Sequence, residues 1–136
     1  MAAPRKYKNE TAFIAAIHRK LPHDLYRMKV NLISNNGVFD CYYSGFGGDC
    51  WVEYKYLRTT PVKHFNPKRY LSDLQQIWGD DRRAEGRQVM AVYGCPDGVF
   101  LQRTAFRSCD QILRPWLRDQ KEVIDWILGK TKPASQ

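Results

Sequence analysis

The four cysteines of this 136-residue chain, Cys41, Cys50, Cys95 and Cys109, include no C-x-x-C pair and follow no regular spacing. That argues against a zinc ribbon and, more strongly, against a disulfide-stapled secreted scaffold, so reduced thiols in an intracellular protein are expected. No apolar run approaches the roughly 20 residues needed to span a bilayer as a helix. The opening Met1-Ala2-Ala3-Pro4-Arg5-Lys6 lacks the apolar stretch of an export signal. A chain with no membrane partner, retained in the cytoplasm (host cytoplasm if phage-encoded), is the expectation. No internal repeat and no low-complexity tract is found. Acids are also scarce: 14 Asp and Glu stand against 22 Lys and Arg, a formal net charge of +8. This balance favours a polyanionic partner such as nucleic acid. With 136 residues, 43% of them hydrophobic, the chain has material for one domain core and no room for a second.

What the sequence does contain is concentrated between Gly37 and Lys55. Two runs rich in aromatic and β-branched residues, 38–43 and 51–57, flank Ser44-Gly45-Phe46-Gly47-Gly48-Asp49, which predicts two antiparallel strands joined by a flexible loop. Alternation along a strand puts Val38, Asp40 and Tyr42 on one face, and Trp51, Glu53, Lys55 and Leu57 on one face of the next strand. The parity can place Asp40, Glu53 and Lys55 together, inside runs that otherwise read as buried. Two carboxylates and an ammonium are costly to bury unless they pair or hold a metal. Cys41 and Cys50 fall on the opposite faces, where packing is their expected role.

This arrangement resembles the PD-(D/E)xK nuclease superfamily, carried by Gly37-Val38-Phe39-Asp40, by Trp51-Val52-Glu53-Tyr54-Lys55 and by Glu10 upstream. The nearest patterns are the small phage-type Holliday-junction resolvases and the virus-type replication-repair nuclease domains. Phe39 stands where the motif's name has proline, a position outside the chemistry. The resemblance implies a restriction-endonuclease-like α/β fold, an αβββαβ core over about 9–103 with a mixed central sheet flanked by helices, followed by a basic extension over about 104–130. It implies Mg²⁺, with Mn²⁺ as a substitute, held by Asp40, Glu53, the Tyr54 carbonyl and Glu10. Lys55 would orient or help deprotonate the attacking water, and a glutamine of the following helix, Gln75 in preference to Gln76, would reach the site.

The rest of the chain is read around that hairpin. Asn9 predicts a helix cap, with Glu10 in the first turn and Phe13, Ile14, Ile17 and Leu21 at helical spacing before Pro22. Glu10 has a second reading as a first-turn acid that merely complements the helix dipole. His18 and His23 lack a ligand spacing and are expected at the surface or at the helix end. Residues 25–33 predict a strand exposed on one face, and Ser34-Asn35-Asn36-Gly37 a turn. The segment from Arg58 to Arg69 is a basic loop, with Asn66 and Pro67 predicted to open a helix running from Lys68 toward Glu85. That helix's apolar face is Tyr70, Leu71, Leu74, Ile77 and Trp78, and Asp80, Asp81, Arg82 and Arg83 are expected to pair with one another on its exposed side. After Gly86, residues 88–93 and 99–102 predict strands joined by Gly94-Cys95-Pro96-Asp97-Gly98. Its literal Pro-Asp is turn chemistry, since no Glu-x-Lys follows. Asp119 is expected to cap a last helix with Val123, Trp126 and Ile127 on its inner face.

Candidate phosphate contacts are Lys63, His64, Lys68 and Arg69 in the loop beyond Lys55, and Arg103 and Arg107 in the basic segment that follows the strands. The expected activity is metal-dependent endonucleolytic hydrolysis of DNA, with a four-way junction or other branched DNA as substrate and a homodimer to address its two strands. A nucleic-acid-binding module without chemistry, and an interaction protein keeping a nuclease-like fold, are the alternatives.

Overall fold

The computed structural model describes residues 6–30, 36–113 and 117–133. The far end of the predicted 25–33 strand, Ser34 and Asn35 of the predicted turn, Arg5, Arg114, Pro115 and Trp116 lie outside them. Helix α1 (Glu10–Lys20) starts as its sequence dictates: Asn9 Oδ1 accepts the Ala12 amide at 2.9 Å. It ends at Leu21, ahead of Pro22. Strands β1 (Tyr26–Lys29), β2 (Cys41–Gly45) and β3 (Gly48–Tyr56) form an antiparallel meander. The predicted loop between β2 and β3 is shorter than its glycines imply. Ser44 pairs with Asp49 and Gly45 with Gly48, leaving Phe46 and Gly47 as the turn. That turn closes tightly because it rests on the end of the last helix, where the Gly47 amide donates to Thr131 O at 2.9 Å. A Cβ on Gly47 would sit 1.8 Å from Lys132 O, so only glycine fits.

After β3 the chain makes a short strand β4 (His64–Phe65), helix α2 (Asp73–Ala84), strands β5 (Val89–Cys95), β6 (Gly98–Gln102) and β7 (Ile112–Leu113), and helix α3 (Lys121–Thr131). The main sheet runs β1-β2-β3-β5-β6, with β3 and β5 parallel and the other neighbours antiparallel. Strands β4 and β7 form a separate antiparallel pair. The architecture is therefore mixed α/β, with the order αβββ, then αβ after the β4 insertion.

Helices cover both faces of the sheet. Phe13, Ile14 and Ile17 of α1 and Val123, Ile124 and Ile127 of α3 pack with Cys41, Tyr43, Cys50, Val52, Tyr54, Met90 and Val92 on one face. Phe39, Leu71, Val89, Ala91, Tyr93, Phe100 and Phe106 fill the other, with Trp51 and Trp78 beside them. Each fully buried aromatic or aliphatic side chain contributes about 1.5–3 kcal/mol, so the two clusters fix which face of β3 each residue takes. Cys41 and Cys50 are buried packing residues, as expected. Helix α3 belongs to this same packed body, since its inner residues complete the first cluster.

The region before α2 departs from expectation. Asn66 does cap, with its Oδ1 accepting the Lys68 amide at 3.1 Å, but only a 3₁₀ turn, Pro67–Arg69, follows. The α-helix begins again at Ser72, whose Oγ accepts the Gln75 amide at 3.1 Å while Gln75 Oε1 accepts the Ser72 amide at 3.0 Å. This reciprocal capping box satisfies two amides left free at the helix start and resets its register. As a result Leu71 and Trp78 face inward, but Tyr70, Leu74 and Ile77 are exposed and Gln75, Gln76 and Gly79 are buried. Gly79 is inside because Phe39 and Phe106 press on it: an added Cβ would meet their rings at 2.9 and 2.8 Å.

Two further expectations change. Asp80 does not pair along its own helix; it accepts the Phe106 and Arg107 amides at 2.9 and 3.1 Å and Arg107 Nε at 3.0 Å. Burial alone would raise its pKa, but the Arg107 side chain and these amides outweigh it and hold the carboxyl below its usual range. Asp119 lies one residue outside the cap position of α3 and accepts the Lys121 amide at 2.8 Å.

Candidate active site

Glu53 sits at the middle of the sheet, on β3 between β2 and β5, and is completely buried. Its Oε1 accepts the backbone N–H of Asp40 at 3.0 Å. Its Oε2 lies 3.2 Å from Lys55 Nζ, an ion pair, and makes no well-aligned hydrogen bond among the described residues. Lys55 reaches solvent and Glu53 does not, with side-chain exposures of 24% and 0%. Burial, and then the nearby Asp40 charge, push the Glu53 pKa well above the usual carboxylate range; Lys55 and the Asp40 amide oppose them.

Asp40 occupies the last position before β2, where its carbonyl accepts the Val30 amide at 2.6 Å. Glu10, in the first turn of α1, completes the group. Its pKa is raised by burial, lowered by Lys55, raised by Asp40 and lowered by Lys29. The fold thus links the four: Glu10 senses Lys55 and Asp40, and Glu53 senses Asp40 and Lys55. Lys29 is a fifth member that sequence reasoning missed. Its signal was the meander register, which sets Lys29 opposite Cys41, the neighbour of Asp40. Tyr54 turns its side chain to the other face, where its hydroxyl lies 2.7 Å from that of Tyr43.

His18 lies in the last turn of α1, at the helix end as expected, but is half-buried and hydrogen-bonded. Its Nε2 is 2.8 Å from Tyr43 Oη, so His18, Tyr43 and Tyr54 form a chain of polar groups into the first core cluster. Burial, then the charges of Arg27 and Lys29, pull its pKa down to about 4, so the ring is neutral at pH 7.

Both α2 glutamines are tied to the turn before the helix. Gln75 Oε1 makes the capping box, and Gln76 Nε2 donates to Leu71 O at 2.9 Å. The helix start nevertheless adjoins the lead-in to Asp40: a Cβ on Gly37, which adopts φ +81°, would lie 2.2 Å from Leu74 O and 2.7 Å from Gln75 N.

The basic candidates divide by partner. Lys68 lies 3.1 Å from Asp110, and Arg107 lies 3.0 Å from Asp80 and 4.0 Å from Asp81, so their charges are locally offset. Lys63, His64, Arg69 and Arg103 are exposed. Asp97 of the rejected Pro-Asp turn takes part in a loop contact, with its amide donating to Thr60 Oγ1 at 3.3 Å.

Among the described residues, no group of three or more His, Cys, Asp and Glu side chains forms a ready-made metal cluster. The donor set nonetheless suits a hard divalent cation. It offers carboxylate oxygens, includes a fully buried Glu53 Oε2 that makes no well-aligned hydrogen bond among the described residues, and carries acids whose raised pKa values a cation would lower. No helix among the described residues is long and apolar enough to cross a membrane. Neither a protein-family model nor a curated protein matches the chain.

Proposed function

We propose that this chain is a Mg²⁺-dependent endodeoxyribonuclease that hydrolyses phosphodiester bonds in branched or otherwise structured DNA. The observation that carries the reading is Glu53: a carboxylate buried at the centre of the sheet, with one oxygen facing a solvent-reaching lysine, beside Asp40 and Glu10. A stable fold does not keep that carboxylate buried for packing's sake, because desolvating it costs several kcal/mol that one lysine repays only in part.

Asp40, Glu53, Glu10 and the Tyr54 carbonyl would hold the cation. When bound, it supplies charge neutralisation at the phosphoryl oxygens and a more acidic water. Lys55 contributes what a carboxylate set lacks. Its ammonium, held over Glu53, positions the attacking water and offsets negative charge as the P–O bond to the leaving sugar oxygen breaks. Lys63, Arg69 and Arg103 are available for the flanking phosphates, and the net charge of +8 draws the polyanion in. A homodimer would present two such sites to the paired strands of a junction.

A second reading has its own observation. Lys55 already neutralises Glu53 at 3.2 Å, an arrangement that also serves a nucleic-acid-binding module without chemistry. Labelled four-way junction, flap, linear duplex and single strand, incubated with Mg²⁺, Mn²⁺ or EDTA, separate the two. Metal-dependent products, most abundant on a branched substrate, support the nuclease. Salt-sensitive binding with no cleavage under any cation supports the module.

A further inference from the structure

Just beyond the Glu53–Lys55 strand lies a cleft of about 430 Å³, lined by Leu57, His64, Phe65, Asn66, Arg69 and Tyr70 among others. We propose that this cleft takes one unpaired nucleotide of the substrate, its base stacked on Tyr70 and its phosphate on Arg69. The proposal rests on the nucleic-acid reading above and extends it from phosphate contacts to a base site.

Three observations converge on the cleft. Phe100, Phe65 and Tyr70 form a ladder of rings, with centroids 5.2 and 5.3 Å apart and planes inclined by only 16° and 20°. The inner two are buried, but Tyr70 is 42% exposed, so the ladder ends at an open ring. A planar base would be its next member, and every base offers a π-face for such stacking. The ladder is rigid before any ligand arrives, because Tyr93 packs edge-on to both Phe65 and Tyr70.

The polar lining supplies what a base and a phosphate need. Asn66 uses its Oδ1 on the Lys68 amide, which leaves its Nδ2 to donate, and the exposed Gln111 amide also lines the cleft. Arg69 is exposed and makes no ion pair among the described residues. The one acid among the described residues of the lining, Asp110, is matched by Lys68 at 3.1 Å.

Position selects a nucleotide of the substrate over a free one. Leu57, on the cleft wall, is two residues past Lys55 and belongs to the same sheet face as Trp51. At about 3.3 Å per strand residue, the cleft begins about 7 Å from the Lys55 position, close to the spacing of neighbouring nucleotides. A stacked duplex cannot offer a base there. A branch point, flap or gap can.

The test measures binding in EDTA, so that cleavage cannot interfere, using a duplex with a short single-stranded overhang and the same duplex blunt-ended. Tyr70→Ala is expected to weaken overhang binding by about 5- to 150-fold while leaving blunt duplex unchanged, and Tyr70→Trp to restore it. Arg69→Ala should lower the salt slope of overhang binding by about one. Equal overhang binding by the Tyr70→Ala and parent proteins, or equal losses on both DNAs, would overturn the proposal. Cleavage with Mg²⁺ is scored separately. Tyr70-dependent binding without cutting removes the nuclease reading and keeps the base site, whereas cutting indifferent to Tyr70 does the reverse.

Discussion

Replacing Glu53 by glutamine should stabilise the metal-free protein, the opposite of what substitution of a buried, hydrogen-bonded residue usually does. Glutamine is nearly the same shape and keeps an oxygen for the Asp40 amide, the 3.0 Å bond that anchors Oε1. What it removes is a buried charge whose other oxygen faces a lysine that reaches water, and whose burial outweighs the help of that lysine and of the Asp40 amide. Removing one member of a buried ion pair usually costs stability because it strands the other charge, but Lys55 reaches solvent, so here the desolvation cost of the Glu53 carboxylate is relieved without stranding a partner. Freed, Lys55 can turn outward. A gain of about 1–2 kcal/mol at neutral pH is expected. Alanine behaves differently, because it orphans the Asp40 amide and leaves a void, losing about 1–3 kcal/mol. The pH dependence has a definite sign. The folded pKa of Glu53 lies above its unfolded value, so native protein binds the extra proton and is stabilised at low pH. That stability is present below the unfolded pKa, near 4.5, and is lost as pH rises through the raised folded value. The advantage of Glu53→Gln should therefore grow with pH, by at most about 1.4 kcal/mol per unit. Urea unfolding in EDTA from pH 5 to 8 measures it. Adding Mg²⁺ should reverse the ranking, since ligand at a hundred times its Kd stabilises the parent by about 2.7 kcal/mol. A Glu53→Gln variant less stable than the parent in EDTA at every pH would refute the reasoning.

Other perturbations probe the surrounding structure. His18 has a folded pKa of about 4 against an ordinary 6.5, so the unfolded chain takes up the proton first as pH falls. Stability should drop by about 1–2 kcal/mol between pH 6.5 and 4, discounted for partial exposure, and His18→Gln should flatten that part of the urea-midpoint profile. Gly79→Ala would put a methyl group 2.8 Å from Phe106 and 2.9 Å from Phe39, and a loss of about 1–3 kcal/mol should outweigh the gain in helix propensity. Asp80→Ala should cost about 1–3 kcal/mol by releasing the Phe106 and Arg107 amides, with faster hydrogen exchange at those two positions. Gln75→Glu preserves the capping box and should leave the unfolding midpoint within about 0.5 kcal/mol of the parent, whereas Ser72→Ala should lose about 1 kcal/mol.

The elements legible in the sequence are those whose signals are local. Asn9 and Pro22 bracket α1 because capping and proline chemistry act within a turn of the helix. The parity of β2 and β3 follows from strand alternation, which lets Asp40, Glu53 and Lys55 share a face, and the register that pairs Cys41 with Val52 then sets Asp40 beside Glu53. The misread elements depend on partners distant in sequence. Leu74 and Ile77 have the spacing of core residues, but the Ser72 capping box sets the helix register and the Phe39 and Phe106 rings claim Gly79's face. The Ser72-x-x-Gln75 signature is present in the chain, hidden by the stronger Asn66-Pro67 signal six residues earlier. His18 sits at the helix end as expected, but its hydrogen bond was not legible because the partner, Tyr43, is 25 residues away. Asp80 likewise sits beside arginines in its own helix and instead binds a segment 26 residues on.

The central claim is that Glu53 and its neighbours form a hydrolytic site. Single-turnover cleavage of a labelled four-way junction in Mg²⁺, by the parent and by Glu53→Gln at matched DNA saturation, tests it most directly. Loss of cleavage by at least about a hundredfold in the variant, with junction binding retained, is the predicted result. Cleavage at the parental rate by Glu53→Gln, or none by either protein, would contradict it.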